Sequence, residues 1–584
     1  MAKKPGYIIM AMVTYFEYIT TVYRLFGLNF VSLQGIVLCT TALSSTGWEI
    51  CQRDLSLAAQ AVRVASAAPR IMTSRAAMIS GARFNSTNAG ATMATAGKTV
   101  AANPTPAAPQ PKKRWSRLRA LKRVVQLGTV GAIGYGAYEI YGKRHPLEQK
   151  PFDPKKRTVV VLGSGWGAVS FLKSINTDDY NVMVVSPRNY FLFTPLLPSC
   201  TVGTIELRSI MEPIRFITQH KSRNVKFYES ECTDIDPESK TISITDVSDI
   251  KGSVSNTTVH YDYLVMAVGA DNQTFGMAGV REFACFLKEI WDAQKIRTRL
   301  MDCVESAGFA KQAPEEVDRL LHMVVVGGGP TGVEYAAELH DFLKDDLEVW
   351  YPELADKFRI TLVEALPNVL PMFSSQLIQY TESTFKQNKI EVLTKTMVKE
   401  VADKEIKVMD ANKNLVSIPY GLLVWATGNC PRPLTRKLMA RIKEAQTSPR
   451  GILVDDYMRV AGAPDIYAIG DCTFSKYAPT AQVATQQGLY LASVFENLAR
   501  IEEGQNKKIT PFEYSHQGSL AYIGSDKAIA DLPFLNGNVS VGGVATYVFW
   551  RSVYISNMFS FRNRFLVVGD WMKSKVFGRD VSRE

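Results

Sequence analysis

Two glycine-rich turns, each placed after a β-branched run, have the residue types and spacing for nucleotide chemistry. Val159-Val160-Val161-Leu162 runs into Gly163-Ser164-Gly165-Trp166-Gly167-Ala168. Met323-Val324-Val325-Val326 runs into Gly327-Gly328-Gly329-Pro330-Thr331-Gly332-Val333-Glu334. An apolar run of this kind reads as a buried parallel strand, and glycines after it permit a tight turn and close approach of backbone to a pyrophosphate. The pyrophosphate then rests on the first amides of the next helix, where the dipole favours negative charge. One such turn is weak evidence. Two in the same strand–turn–helix setting imply two dinucleotides and, between them, hydride transfer.

The elements that must position these turns follow in order. Val182-Met183-Val184-Val185 reads as the second strand of the first unit and ends at Ser186, where a standard fingerprint has an acid for the ribose 2′-hydroxyl. In the second unit, Ile360-Thr361-Leu362-Val363 ends at Glu364, a carboxylate that accepts from both ribose hydroxyls and repels a 2′-phosphate. That predicts NADH over NADPH. The spacing from Gly327 to Glu364 exceeds the usual ~20 residues, and a charged helix–loop insert over 341–357 is expected to account for it. Tyr263-Leu264-Val265-Met266-Ala267-Val268-Gly269 and Leu422-Leu423-Val424-Trp425-Ala426-Thr427-Gly428 read as strands returning each unit to its sheet. Asp465 to Gly470-Asp471 reads as a strand ending in an acid placed for a flavin's ribityl or phosphate-linked hydroxyl. The fold class is therefore α/β, with two doubly wound Rossmann-like dinucleotide-binding domains.

The chain has 584 residues, 46% of them hydrophobic, which is room for two or three domains with large cores. Its net charge of +11 is unevenly spread. Residues 55–138 contain no Asp or Glu while Arg and Lys recur, so the excess marks targeting and a membrane surface, not nucleic acid. Arg63, Arg70, Arg75 and Arg83 among Ala, Ser and Val read as a mitochondrial presequence, followed by a Pro/Ala linker to residue 111. A basic cluster (Lys112, Lys113, Arg114, Arg117, Arg119, Lys122, Arg123) then abuts a charge-free stretch, 124–138, read as a transmembrane or interfacial helix. If it spans, the body faces the intermembrane space. Residues 1–54 carry an apolar stretch and receive no assignment. Eight Cys and six His show no zinc-type spacing and no CxxC pair, so no metal site is expected.

From about Lys155 to Asp580 the chain resembles the type II, non-pumping NADH:ubiquinone oxidoreductases, in particular the fungal mitochondrial external type. The resemblance rests on Gly163-Ser164-Gly165-Trp166-Gly167, Asn189-Tyr190-Phe191-Leu192-Phe193-Thr194-Pro195, Gly327 to Glu334, Gly470-Asp471, Ala481-Gln482-Val483-Ala484-Thr485-Gln486 and the closing Trp571 to Asp580. It implies that Gly163, Gly165 and Gly167 hold the pyrophosphate of a non-covalent FAD, with Gly470 and Asp471 on its ribityl side and Thr194 near the ring. It implies that Gly327, Gly329, Gly332 and Glu364 bind NADH. Glu334 matches a glutamate close to nicotinamide and flavin. Gln482 and Thr485 match quinone-site positions, although some members carry histidine where this chain has Thr485. Tyr554 matches a tyrosine at the quinone entry. The reaction implied is rotenone-insensitive: hydride from NADH to FAD, then two electrons to ubiquinone, without proton pumping.

The C-terminal stretch supports a membrane contact from its own residues. Phe549, Trp550, Tyr554, Phe559, Phe561, Phe565 and Trp571 interleave with Arg551, Arg562, Arg564, Lys573 and Lys575, a mixture suited to amphipathic helices in a headgroup layer. The expected organisation is a presequence and linker (55–111), a membrane helix (112–145), an FAD-binding domain in two parts (155–320 and 451–510, the latter with the quinone motif), an NADH-binding domain (321–450) between them, and a membrane-anchoring region (511–584). The expected setting is the mitochondrial inner membrane, with ubiquinone and lipid as partners and a homodimer as the assembly. Two rivals share the architecture. Sulfide:quinone oxidoreductase requires redox cysteines, for which Cys200, Cys430 and Cys472 are the candidates. An apoptosis-inducing-factor-like flavoprotein requires neither the Ala481–Gln486 motif nor the aromatic tail.

Overall fold

The computed structural model describes residues 114–534 and 537–583; the expected presequence and linker, and the unassigned 1–54, lie outside the described residues. The first described element is α1 (Arg114–Arg144), which has no acidic residue in its first turn. Of the two expected readings of this helix, transmembrane or interfacial, the spanning one meets a contrary finding. Among the described residues no helix is long and apolar enough to cross a membrane. Absence of charge is not hydrophobicity: Gln126, Gly128, Gly131, Gly134 and Gly136 dilute the apolar content of 124–138 below what a bilayer core selects.

Each glycine turn sits at the heart of a parallel sheet. The first comprises β1 (Thr158–Leu162), followed by α2 (Trp166–Ser174), then β2 (Asn181–Ser186), β3 (Val225–Glu229) and β4 (Tyr263–Met266). The second comprises β5 (His322–Val326), followed by α3 (Pro330–Phe342), then β6 (Arg359–Val363), β7 (Ile390–Leu393) and β8 (Leu422–Trp425). The chain then returns to the first sheet with β9 (Ala463–Ala468) and enters α4 (Ala481–Glu502). The order in the first sheet is β9-β4-β1-β2-β3, extended by Arg459–Val460; in the second it is β8-β5-β6-β7, flanked by Cys285–Phe286. In both, the strand carrying the fingerprint is central, with its return strand on one side and the next strand on the other. The β1–β2, β1–β4, β5–β6 and β5–β8 pairs are all parallel. β1, β2, β5 and β8 are buried almost end to end, as Val/Leu-rich strands covered on both faces must be.

The insert over 341–357 is the expected charged helix–loop. α3 continues through a π turn (Leu343–Leu347) into a short helix (Glu348–Trp350), and Asp341 and Asp346 are buried.

After α4 the chain builds an antiparallel sheet that the sequence reading did not anticipate: β10 (Ser519–Gly524), β11 (Lys527–Phe534) and β12 (Gly537–Gly543). Gly524 lies so close to α3 that an added Cβ would stand 3.6 Å from the Ala337 Cβ. Two helices follow, α5 (Val544–Asn557) and α6 (Phe561–Phe577). Tyr547, Phe549, Trp550, Val567 and Trp571 turn inward, while Val544, Phe565, Met572, Val576 and Phe577 are exposed.

Candidate active site

The two fingerprints close in the same way. Gly163 has φ +108°, and a Cβ there would stand 2.4 Å from the Ala267 carbonyl oxygen, in the turn after β4. Gly327 has φ +118°, and a Cβ would stand 2.7 Å from the Ala426 carbonyl oxygen, in the turn after β8. The first glycine of each turn is thus wedged against the mouth of its return strand. The other glycines divide the work as a phosphate cradle needs. Gly165 and Gly329 face open space and precede the helices α2 and α3. Gly167 and Gly332 allow close packing: Cβ atoms there would come within 3.1 Å of Ile469 and 1.9 Å of the Gly327 oxygen.

At the end of β6 the Glu364 carboxylate accepts from the backbone N–H of Gly328, and its other oxygen accepts from the Leu366 N–H at 2.7 Å. Two backbone amides thus fix the acid at the second glycine turn. The first unit has no equivalent. Ser186 instead donates to Ser164 Oγ at 3.0 Å, inside the glycine turn, and Arg188 pairs with Glu289, which also meets Arg432 at 3.3 Å.

On the other side of the first cradle, the Gly470 N–H (φ +74°) donates to Gln487 Oε1 at 2.7 Å. The Gln487 Nε2 is buried and has no hydrogen-bond partner, leaving a donor beside Gly470-Asp471 for a ligand oxygen. Burial pushes the Asp471 carboxyl up, opposed by Lys288, whose ammonium donates to Asn429 at 2.6 Å. A cradle a Cβ would fill, an unpartnered buried donor and an acid–lysine pair fit a bound dinucleotide.

Trp166, inside the first fingerprint, donates from its indole to Thr194 Oγ1 at 3.0 Å. Its ring also meets Phe191, Phe193 and Phe559 with centroids 5.0, 5.2 and 6.0 Å away. The Phe-Thr-Pro turn is therefore tied both to the first glycine turn and to the loop between α5 and α6.

Glu334, in the second turn of α3, is buried rather than lying on the surface. It accepts from the Tyr522 N–H on β10 at 3.2 Å. Burial pushes its carboxyl up to about 8, against the opposing pull of the Tyr522 amide and the Trp550 indole, with Glu338 adding to the rise. Tyr554 stands on the same wall, 4.6 Å from the Trp550 ring and 6.1 Å from Phe193, its phenol raised by burial and by Glu334. The structure thus brings Glu334, Tyr554, Trp550 and the Thr194 turn into one neighbourhood.

The Ala481–Gln486 motif opens α4, capped by Thr480, whose Oγ1 accepts from the Val483 N–H at 3.3 Å. The Gln482 carboxamide is fully engaged: Nε2 donates to the Gly518 oxygen at 2.8 Å, and Oε1 accepts from Tyr514 OH at 3.1 Å and the Gln517 N–H at 3.3 Å. Gln486 clasps Ser515 through both its N–H and its carbonyl oxygen, at 3.0 and 2.8 Å. These glutamines pin the 514–518 segment that leads into β10. Thr485 is half-buried between them on the same helix. A cleft of about 620 Å³ lies beside the motif, lined by Gln486, Leu489, Tyr490 and residues 510–513.

Sequence reasoning missed Trp166 as a bridge, Lys288, Tyr522 and Glu338. Glu338 had a signal: it follows Glu334 by one helical turn, so both share a face.

Among the described residues no cysteine is disulfide-bonded. Cys200 and Cys472 are buried; burial lifts the Cys200 thiol well above its ordinary range and the Cys472 thiol to about 12. A thiol held protonated is a poor nucleophile.

Comparison with known proteins agrees with this geometry. Residues 157–488 match the family described as pyridine nucleotide-disulphide oxidoreductase, and residues 516–580 match the NDH2 C-terminal domain. The chain is 52% identical over 516 residues to the external alternative NADH-ubiquinone oxidoreductase of Yarrowia lipolytica mitochondria, covering 81% of this chain and 88% of that one. It is 43% identical over 500 residues to external NADH-ubiquinone oxidoreductase 2 of Saccharomyces cerevisiae, covering 80% and 91%. The structure of NDH2 from Plasmodium falciparum in complex with NADH aligns with a TM-score of 0.69 and 32% identity, over 73% of this chain and 100% of that one. A sulfide:quinone oxidoreductase from Aquifex aeolicus shares the fold alone, at 17% identity and a TM-score of 0.54.

Proposed function

The chain belongs to the family of mitochondrial NADH-ubiquinone oxidoreductases, and from that premise we propose that it oxidises NADH and reduces ubiquinone, with FAD held non-covalently by the first sheet. A bound FAD supplies the two-electron carrier between nicotinamide and quinone. Gly163, Gly165 and Gly167 give its pyrophosphate close access to backbone amides. Asp471, Gly470 and Gln487 take the ribityl side, and Thr194, fixed by Trp166, borders the ring. Gly327, Gly329 and Gly332 cradle NADH, while Glu364 holds its ribose and turns a 2′-phosphate away.

One observation carries the reading. Glu334 rises from the helix that starts at the NADH cradle and ends among Tyr522, Trp550 and Tyr554 of the C-terminal module, so a single side chain touches both halves of the reaction. Protonated near neutral pH, it can give a proton to a reduced quinone without a change in solvent access. Gln482 acts by fixing the 514–518 segment that leads to Tyr522, and Thr485 lines the same helix. Tyr554 stands at the entry.

The exposed apolar residues of α5 and α6, set among Arg562, Lys573 and Lys575, form the contact with inner-membrane lipid through which ubiquinone arrives. The presequence composition supports a mitochondrial destination, and the inner membrane is the setting we favour. With no span in α1, the assignment of the body to the intermembrane-space side rests on its likeness to relatives named external. A homodimer sharing the aromatic helices is the assembly we favour.

The test is spectroscopic. NADH should bleach the flavin of the FAD-loaded protein under anaerobic conditions, and a short-chain ubiquinone should restore the colour at a comparable rate. Bleaching by sulfide, or no recovery with quinone, refutes the proposal.

A further inference from the structure

Glu334 and Glu338 are one turn apart on α3, both buried, and their carboxyl groups repel each other. Their surroundings differ. Glu334 meets one backbone amide and an aromatic wall. Glu338 accepts from Ser199 Oγ at 2.7 Å and from Thr204 Oγ1 at 2.9 Å. That same Thr204 oxygen accepts from Arg579 Nε at 2.9 Å, and Arg579 is anchored by Asp346 at 2.8 Å. The titratable groups bearing on the pair are Tyr522, Tyr547, Tyr554, Cys200, Asp341 and Arg579, whose guanidinium also meets Asp346 at 2.8 Å and Asp345 at 3.5 Å; burial lifts the Glu338 carboxyl as well, opposed first by Arg579.

We propose that the two glutamates share one proton at neutral pH, and that Arg579, acting through Thr204, places the negative charge on Glu338 and so keeps the proton on Glu334. Two like charges this close do not both ionise in a dry site, and their protons titrate as a property of the pair. The carboxyl with two hydroxyl donors and a nearby guanidinium is the better seat for the charge; the one against indole and phenol rings is the better seat for the proton. Glu338 and Arg579 are then positioning residues. They hold Glu334 ready as a proton donor without touching substrate. The C-terminal tail, far from the glycine cradles in sequence, tunes the site.

This rests on the proposed role of Glu334, so the experiment separates the two. Each FAD-loaded variant is first checked for bleaching by NADH; a native protein that fails this check defeats the functional reading, while the proton's place is still read directly. Infrared spectra then follow the C=O stretch of a protonated buried carboxyl. The native protein should show one such band at neutral pH, and Glu334→Gln should abolish it. Glu338→Gln should keep the band but lower its titration midpoint by roughly two pH units, the Coulomb effect of removing a charge ~6 Å away at an effective dielectric of about 20. The basic limb of the quinone-reduction pH profile should move down with it. Arg579→Met in the Glu334→Gln background should restore a band, now from Glu338; if that variant fails to fold, the Glu338→Gln midpoint alone decides. A band persisting in Glu334→Gln at neutral pH, or an unmoved midpoint in Glu338→Gln, overturns the proposal.

Discussion

Replacing Glu364 by glutamine tests the second cradle most directly. The native carboxylate is half-buried and already accepts from two backbone amides, those of Gly328 and Leu366, so its place at the end of β6 is fixed independently of ligand. Against NADPH it opposes a 2′-phosphate of nearly two charges; at ~5 Å and a dielectric near that of water, the repulsion is about 1 kcal/mol per charge, or about 2 kcal/mol in all. Against NADH the variant loses one charge-assisted acceptor for the ribose hydroxyls, costing about 1.5 kcal/mol. The NADH-to-NADPH preference should therefore fall by about 3.5 kcal/mol, a few hundredfold in the ratio of kcat/KM. Anaerobic stopped-flow bleaching of the flavin by each nucleotide measures it, and raising the ionic strength should shrink the gap in the native protein more than in the variant. A ratio that moves less than twofold would show that Glu364 does not face the ribose.

Four further outcomes follow from the same structure. Gly163→Ala must place a Cβ 2.4 Å from a carbonyl oxygen at φ +108°, which should cost about 3 kcal/mol and release FAD, read by melting temperature and by flavin retained on gel filtration. Glu334→Gln should flatten the pH dependence of folding stability. The folded carboxyl, raised to about 8 from its ordinary 4.5, binds a proton that the unfolded chain has lost, so native stability falls as pH climbs between those values and the variant's does not, as thermal melts across that window would show. Phe565→Glu with Phe577→Glu should weaken binding to anionic liposomes tenfold or more, since burying each ring contributes about 2 kcal/mol, while leaving NADH bleaching of the flavin intact; co-sedimentation decides it. Replacing Cys200, Cys430 and Cys472 together by serine should leave quinone reduction within about threefold of native (about 0.7 kcal/mol), and a greater loss would revive a cysteine-based mechanism.

The two sheets were legible in the sequence because their information is local. A β-branched run buried on both faces, then glycines, then a helix, is set by sterics within about a dozen residues, and Gly163, Gly327, Glu364 and Asp471 fall where that grammar puts them. Long-range pairing was not legible. Nothing near Glu338 announces Thr204 or Arg579, and nothing near Trp166 announces Phe559; these contacts arise only once α5, α6 and the tail are laid on the body. The β10–β12 sheet escaped notice because β10 and β12 carry glycines at their ends (Gly524, Gly537, Gly542, Gly543) and β11 carries Pro533, which weaken the signals a strand shows in sequence. The helix over 114–144 was foreseen; its spanning alternative fails because freedom from charge is not hydrophobicity.

The C-terminal module does more than supply an oily face. Folds sharing the two sheets bring substrates of several kinds to the same cradle, so the choice of acceptor has to come from what is added. Here β10 hydrogen-bonds Glu334 directly, α5 contributes Trp550 and Tyr554 to its wall, and the tail reaches Asp346 and Thr204 beyond it. α3 thus begins at the glycine turn of the second sheet and ends clamped by the buried residues of the same module that carries the exposed apolar side chains. On the proposed reading, a hydrophobic acceptor entering from that surface would meet Glu334, a buried carboxyl whose environment favours its protonated form, behind aromatic rings that keep competing water away. Removing the module should therefore abolish more than membrane attachment. It should expose Glu334 to solvent and let it ionise at ordinary carboxylate pH.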